Sequence, residues 1–246
     1  MRAYFDNNIL ISIEDKEINI EHILSKRNDV SIVYSYVHIQ ELLASNANFE
    51  QLREKRINTI TSLTNNFYIY PDGKSIELKE ENPQSIILQL QAFPFLNNML
   101  KIAASNYTVE KDKFIELLEI DKKRINNYTS NQVIEYINKA LVGNMAIELE
   151  KFIGLSGDSL REKICTLFNF LDIVGFWKDK QTEKSNLARI YDASHTYFAS
   201  CCNYFVSNDR NARNKANVAY SLYNITTKAI SMDEFIQMFA DFRNAY

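Results

Sequence analysis

Asp6 follows the short apolar run "AYF", and Asp209 closes "YFVSND" near the other end of the chain. Glu41 stands early in a helical stretch, in "VHIQEL", and Asp192 lies in the helical stretch before the Asp209 run. Two of these acids end strand-like segments. In an open α/β sheet, ligands gather beyond the carboxyl ends of the strands, where the strand order reverses. Carboxylates crowded into such a place repel one another and raise each other's pKa unless a cation neutralises them. A hard divalent ion such as Mg²⁺ takes oxygen ligands and keeps waters for substrate and nucleophile. The chemistry this suits is metal-assisted phosphoryl transfer.

The elements that must position these acids are legible as a rhythm. "AYFDNNILI" predicts a strand running into a helix start, and "KEINIEHILSK" has apolar residues at helical spacing. "VSIVYSY" predicts a second strand. "VHIQELLASNANFEQLREKRINTITSL" is helical, with a break near Ser45–Asn48. "NFYIYPDG" predicts a third strand closed by a turn. Alternating strands and helices predict parallel strands with right-handed crossovers.

From 80 to 183 the pattern changes to amphipathic helices, among them "VEKDKFIELLEI", "SNQVIEYINKALVGNMAIELEKFIG" and "SLREKICTLFNFLDIVGFW". This is an expected all-helical insertion, bounded by the charge-rich "GKSIELKEEN" and "KDKQTEKSN". Strand logic then resumes, with a helix over "SNLARIYDASHTYFASCC", the strand "YFVSND", a helix over "RNARNKANVAYSLY" and a last strand, "ITTKAI". Ser231 followed by Glu234 predicts a capping box opening the final helix. The expected organisation is one domain over 1–246, formed by 1–79 and 184–246 around the 80–183 insertion.

These segments, in this order, resemble PIN-domain nucleases. "YFDNNILI" looks like that family's opening strand with its aspartate, polar pair and apolar residues. "VHIQEL" resembles the helix that supplies a glutamate. "YDASHTYFASCCNYFVSND" resembles the helix aspartate followed by a strand ending in Ser/Thr-x-Asp, and "ITTKAISMDEFIQMF" the closing strand and helix. The resemblance covers residues 1–75 and 184–246. It implies a three-layer α/β/α sandwich and Mg²⁺- or Mn²⁺-dependent hydrolysis of phosphodiesters, usually in RNA, with DNA as the other candidate. It also implies that Asp6, Glu41, Asp192 and Asp209 are the metal-site acids and that Asn8 and Ser207 orient their carboxylates. The compact members include toxin components of toxin–antitoxin pairs, so an inhibitor or antitoxin protein is an expected type of partner. The insertion has no counterpart in them. It would serve as a substrate cap, a homodimer surface or an inhibitor dock.

Each residue also has an ordinary reading. An acid after a strand is often a turn residue or helix cap, and Glu41 by itself reads as a solvated helix residue. His195 lies one helical turn after Asp192, and His38 one turn before Glu41. Either would assist a metal site or simply be a hydrogen-bonded structural histidine. Arg210, Arg213 and Lys215 follow Asp209 and would meet a substrate backbone, or form a solvated helix face. "LREKR" and "DKKR" read as surface charge.

Rival chemistries fit less well. A haloacid-dehalogenase-like phosphatase wants a second aspartate where this chain has Asn8. A dinucleotide-binding fold wants a Gly-x-Gly-x-x-Gly after the first strand, which is absent. A PIN-like fold kept only as an interaction module remains the non-enzymatic alternative. The formal net charge of −3 excludes a general attraction for nucleic acid, so binding would need a local basic patch. Cys165, Cys201 and Cys202 form no Cys-x-x-Cys pair and fit buried thiols in a reducing compartment. With neither a signal-peptide pattern nor an unbroken apolar span, the reading is a cytoplasmic protein that does not enter membranes.

Overall fold

The computed structural model describes residues 1–19, 30–44, 49–71, 76–93, 99–100, 102, 127–177 and 182–241. The fold is mixed α/β, with a mostly parallel four-stranded sheet. The chain divides into two compact units, one of Met1–Asn98, Phe198–Arg213 and Thr227–Tyr246, the other of Met99–Tyr197 and Asn214–Thr226.

In the first unit, β1 (Arg2–Phe5) pairs in parallel with β2 (Ser31–Val33) on one side and on the other with the strand Tyr204–Val206. That strand, β5, pairs in parallel with β6 (Lys228–Ile230), giving the order β2-β1-β5-β6. Beyond β2, Tyr34 bridges in parallel to Tyr68 of β3 (Phe67–Pro71). β3 and β4 (Ile76–Glu80) form an antiparallel pair. β4 was not expected, because "IELKE" reads as a charged boundary. It is an edge strand, largely exposed along its length, so its alternation carries no buried face to reveal it. Lys79 lies 4.0 Å over the Tyr70 ring and 3.3 Å from Glu77.

β1 is buried on both faces, as a central parallel strand must be. On one face Ala3 and Phe5 join a core with Ile9, Ile32, Ile60, Ile87 and Phe235. Phe5 and Phe235 meet edge to face at 5.3 Å. The alternation of side chains sends Tyr4 to the other face, where its ring lies 4.8 Å from His38. Among the described residues, α1 (Asn7–Glu14), α2 (Tyr36–Ala44), α3 (Phe49–Thr64) and α4 (Pro83–Ala92) lie along the N-terminal part of this unit. The expected break at 45–48, the segment 20–26 and the helix "VEKDKFIELLEI" lie outside the described residues.

The second unit is helical where it is described. The run expected as one helix from Ser130 to Gly154 is two, α5 (Ser130–Met145) and α6 (Leu149–Gly154). Ala146 closes α5 in the left-handed region, φ 53°, where the helix stops. α5 buries Val133, Ile137 and Leu141, a stripe at four-residue spacing. α7 (Leu160–Ile173) opens with a capping box between Ser159 and Glu162. α8 (Glu183–Ala199) and α9 (Arg210–Leu222) each belong partly to both units. α10 (Met232–Asp241), in the first unit, opens on the Ser231–Glu234 capping box. There the Ser231 N–H donates to Glu234 Oε2 at 2.6 Å, and the Glu234 N–H donates to Ser231 Oγ at 3.2 Å.

Candidate functional site

Between β1 and β5 the strand order reverses, so the carboxyl ends of these two strands define the switch point of the sheet. Asp6 is the residue after β1 and Ser207 the residue after β5. Both extend the ladder, Asp6 N donating to Val206 O at 2.9 Å and Ser207 N to Ile230 O at 3.0 Å. Asp6 also caps α1, its Oδ1 accepting the Asn7 N–H at 2.7 Å.

Ser207 saturates its hydroxyl here. It donates to Asp6 Oδ2 at 2.7 Å and accepts from Asn8 Nδ2 at 2.9 Å and from the Asp209 N–H at 3.1 Å. One proton and two lone pairs are all a serine hydroxyl offers. The Asn8 amide has a determined orientation. Its Oδ1 accepts the Asn208 N–H at 3.1 Å, so its Nδ2 faces Asp6 Oδ2, at 2.6 Å. Asp6 is 5 % exposed, so its carboxylate depends on these donors in place of water.

Glu41 arrives on α2. That helix is tethered to the sheet by buried His38, whose Nε2 donates to Phe5 O at 2.7 Å while Nδ1 accepts the Ser35 N–H at 3.1 Å. A carbonyl cannot donate, so Nε2 carries a proton. His38 thus takes its structural reading. Glu41, three residues on, lies along the same side of the helix as this tether. Its Oε2 accepts a hydrogen bond from Asn7 Nδ2. Asn7 in turn accepts from Arg56 Nη1 at 2.7 Å. Beneath them the Tyr4 hydroxyl is 2.7 Å from Ser35 Oγ. Burial, reinforced by the charges of Asp6 and Glu41 and opposed by the Ser35 hydrogen bond, holds its phenol well above the usual range. Tyr4 is therefore an uncharged phenol at neutral pH.

Asp209 is exposed and caps α9, its Oδ1 accepting the N–H groups of Asn211 at 2.7 Å and Ala212 at 3.0 Å. Of the basic residues that follow, Arg210 is exposed, while Arg213 is half-buried and donates to Ser207 O at 2.6 Å, bracing the turn itself. Lys215 requires a correction. It is 1 % exposed, with its ammonium 3.1 Å from buried Asp172, and does not present itself to a substrate. Its position in α9 places it on the buried side with Ala212, Ala216 and Ala219, a phase that its charge disguised. Asp192, half-buried, and His195, fully buried, lie along α8 in the second unit.

The sequence reading missed Asn7 and Arg56. "LREKR" is not all surface charge, since Arg56 is 7 % exposed and pairs with Glu14. The signal was present in the spacing. Arg56 precedes buried Ile60 and Leu63 by four and seven residues, the stripe of an inward helix face.

Among the described residues, no group of three or more His, Cys, Asp or Glu side chains is gathered to hold a metal ion. No protein-family model, curated protein or solved structure matches the chain. No family is assigned by comparison. What the first unit shows is Asp6 held by Asn8 and Ser207 at the ends of β1 and β5, Glu41 on α2 held by Asn7, and Asp209 at the start of α9.

Proposed function

We propose that the chain is a metal-dependent nuclease of the PIN type, built on a three-layer α/β/α sandwich and hydrolysing phosphodiester bonds in RNA. The observation that carries this reading is the buried Asp6 carboxylate at the switch point, fixed by Ser207 and Asn8 from two strand ends. What favours a functional acid is its place, since ligands of open α/β sheets collect at the switch point. Asp6, Glu41 and Asp209 would hold Mg²⁺ or Mn²⁺. When bound, the ion supplies polarisation of the phosphate and activation of water. Ser207 and Asn8 aim Asp6, because both donate to the same oxygen, Oδ2. Arg210, exposed at the start of α9, supplies a cation for the phosphate backbone.

One observation favours the second reading, a catalytically silent interaction module. Asp209 Oδ1 already serves as the cap of α9, which is reason enough for an acid there. Asparagine caps a helix as well as aspartate does, so Asp209→Asn separates the two readings by removing charge and leaving the cap.

The test is cleavage of single-stranded RNA and DNA oligonucleotides with Mg²⁺ or Mn²⁺ by wild type, Asp6→Asn and Asp209→Asn. Cleavage by wild type, reduced about a hundredfold or more in each variant with the fold unchanged, is the expected outcome. A wild-type protein that neither cuts nor binds Mn²⁺ is the silent module.

A further inference from the structure

Three helices converge on one carboxylate through a buried arginine. Arg56 on α3 pairs with Glu14 at the end of α1 through Nε, and through Nη2 at 3.2 Å. The side chains of this pair are 8 % and 4 % exposed, so the guanidinium is fixed in place. Its Nη1 donates to Asn7 Oδ1 at 2.7 Å. A guanidinium has no acceptor, so the Asn7 atom facing it must be the carbonyl oxygen. The amide NH₂ of Asn7 is then turned the other way, onto Glu41 Oε2. Arg56 therefore decides the orientation of Asn7, and Asn7 holds one oxygen of Glu41. Asn7 is itself buried.

We propose that Arg56 and Asn7 are positioning residues for Glu41, a relay that fixes this carboxylate at the sheet switch point. This rests on the nuclease reading for its catalytic consequence, though not for its geometry. The relay shares no side chain with the Ser207–Asn8 cradle that holds Asp6. One acid is thus oriented from β5, the other from α3. Lysine cannot replace Arg56, because a single ammonium does not reproduce a planar fork that serves Glu14 and Asn7 together.

The experiment uses the full chain in two arms. In the first, cleavage of a single-stranded RNA with Mn²⁺ is measured for wild type, Asn7→Ala, Glu41→Ala and the double variant. Asn7→Ala leaves the Arg56–Glu14 pair intact and so keeps the fold. The expected result is a kcat about tenfold or more below wild type, a raised half-saturating Mn²⁺ concentration and an unchanged KM for RNA. Because Asn7 acts through Glu41, adding Asn7→Ala to Glu41→Ala changes nothing further. Multiplying effects, or an Asn7→Ala protein equal to wild type, would overturn the relay.

The second arm reads the geometry without activity, by hydrogen exchange of the Asn7 side-chain amide in NMR spectra. Slow exchange in wild type, made fast by Glu41→Ala and by Arg56→Lys, supports the relay even if no cleavage is found and the nuclease reading fails. Fast exchange in wild type refutes it.

Discussion

Ser207 is the residue on which the two strand ends depend. Its hydroxyl touches Asp6, Asn8 and the Asp209 backbone together. Ser207→Ala removes a donor from Asp6 and an acceptor from the Asp209 N–H at once, in a position with no exposed surface. Leaving buried polar groups unsatisfied costs about 1–3 kcal/mol, and urea unfolding should show a loss of that size. On the nuclease reading, cleavage should fall about 10–100-fold in addition, as when a ligand loses its orienting partner. Serine to threonine keeps the hydroxyl and should recover part of both.

At the scale of elements, α10 and α7 illustrate two kinds of fastening. The α10 cap is local and solvated. The Ser231 backbone N–H and then its hydroxyl hold the Glu234 carboxyl below its ordinary value. A lowered folded-state value means that the cap stabilises the protein above the unfolded glutamate range, about pH 4.3. That stability is lost as pH falls through the folded value. Ser231→Ala should cost about 1 kcal/mol at pH 7 and less once pH falls below the unfolded glutamate range, read by thermal unfolding.

The second fastening is buried. Asp172 of α7, 0 % exposed, receives Arg189 of α8 and Lys215 of α9 within the second unit. Asp172→Asn removes the charge between two cations and should cost about 3–5 kcal/mol in denaturant unfolding. A loss below 1 kcal/mol would show that the three charges are not mutually dependent.

For the molecule as a whole, the charge balance limits how it can meet nucleic acid. A formal net charge of −3 gives no long-range attraction, and of Arg210, Arg213 and Lys215 only Arg210 is exposed. Each phosphate contact on a single strand adds about −0.7 to the slope of log K against log salt. Arg210→Ala should therefore make that slope shallower by about 0.7 for single-stranded RNA, whereas Lys215→Met should leave it unchanged. A slope that moves with Lys215 would place its ammonium at the substrate after all. Among the described residues, no helix is long and apolar enough to cross a membrane.

Local features were legible from the residues alone. The Ser231–Glu234 cap lies within one turn of helix, and β1 and β5 announce themselves as apolar runs ending in polar residues, so neighbours in the chain suffice to specify them. The convergence of β1 and β5 was also inferable in outline, since alternating strands and helices lead to a parallel sheet. The partners of the charged groups were decided by tertiary structure. Asp6 meets Ser207 across 201 residues of chain, and Glu41 meets Asn7 across 34. Arg56 reads as surface charge and Lys215 as a substrate contact or solvated helix face, because arginine and lysine rarely go inside unpaired. Each is buried because an acid on another helix, Glu14 for one and Asp172 for the other, makes burial affordable. That acid is fixed by how helices pack, a property of side chains far apart in sequence, and it determines which charges stay inside and which remain for a substrate.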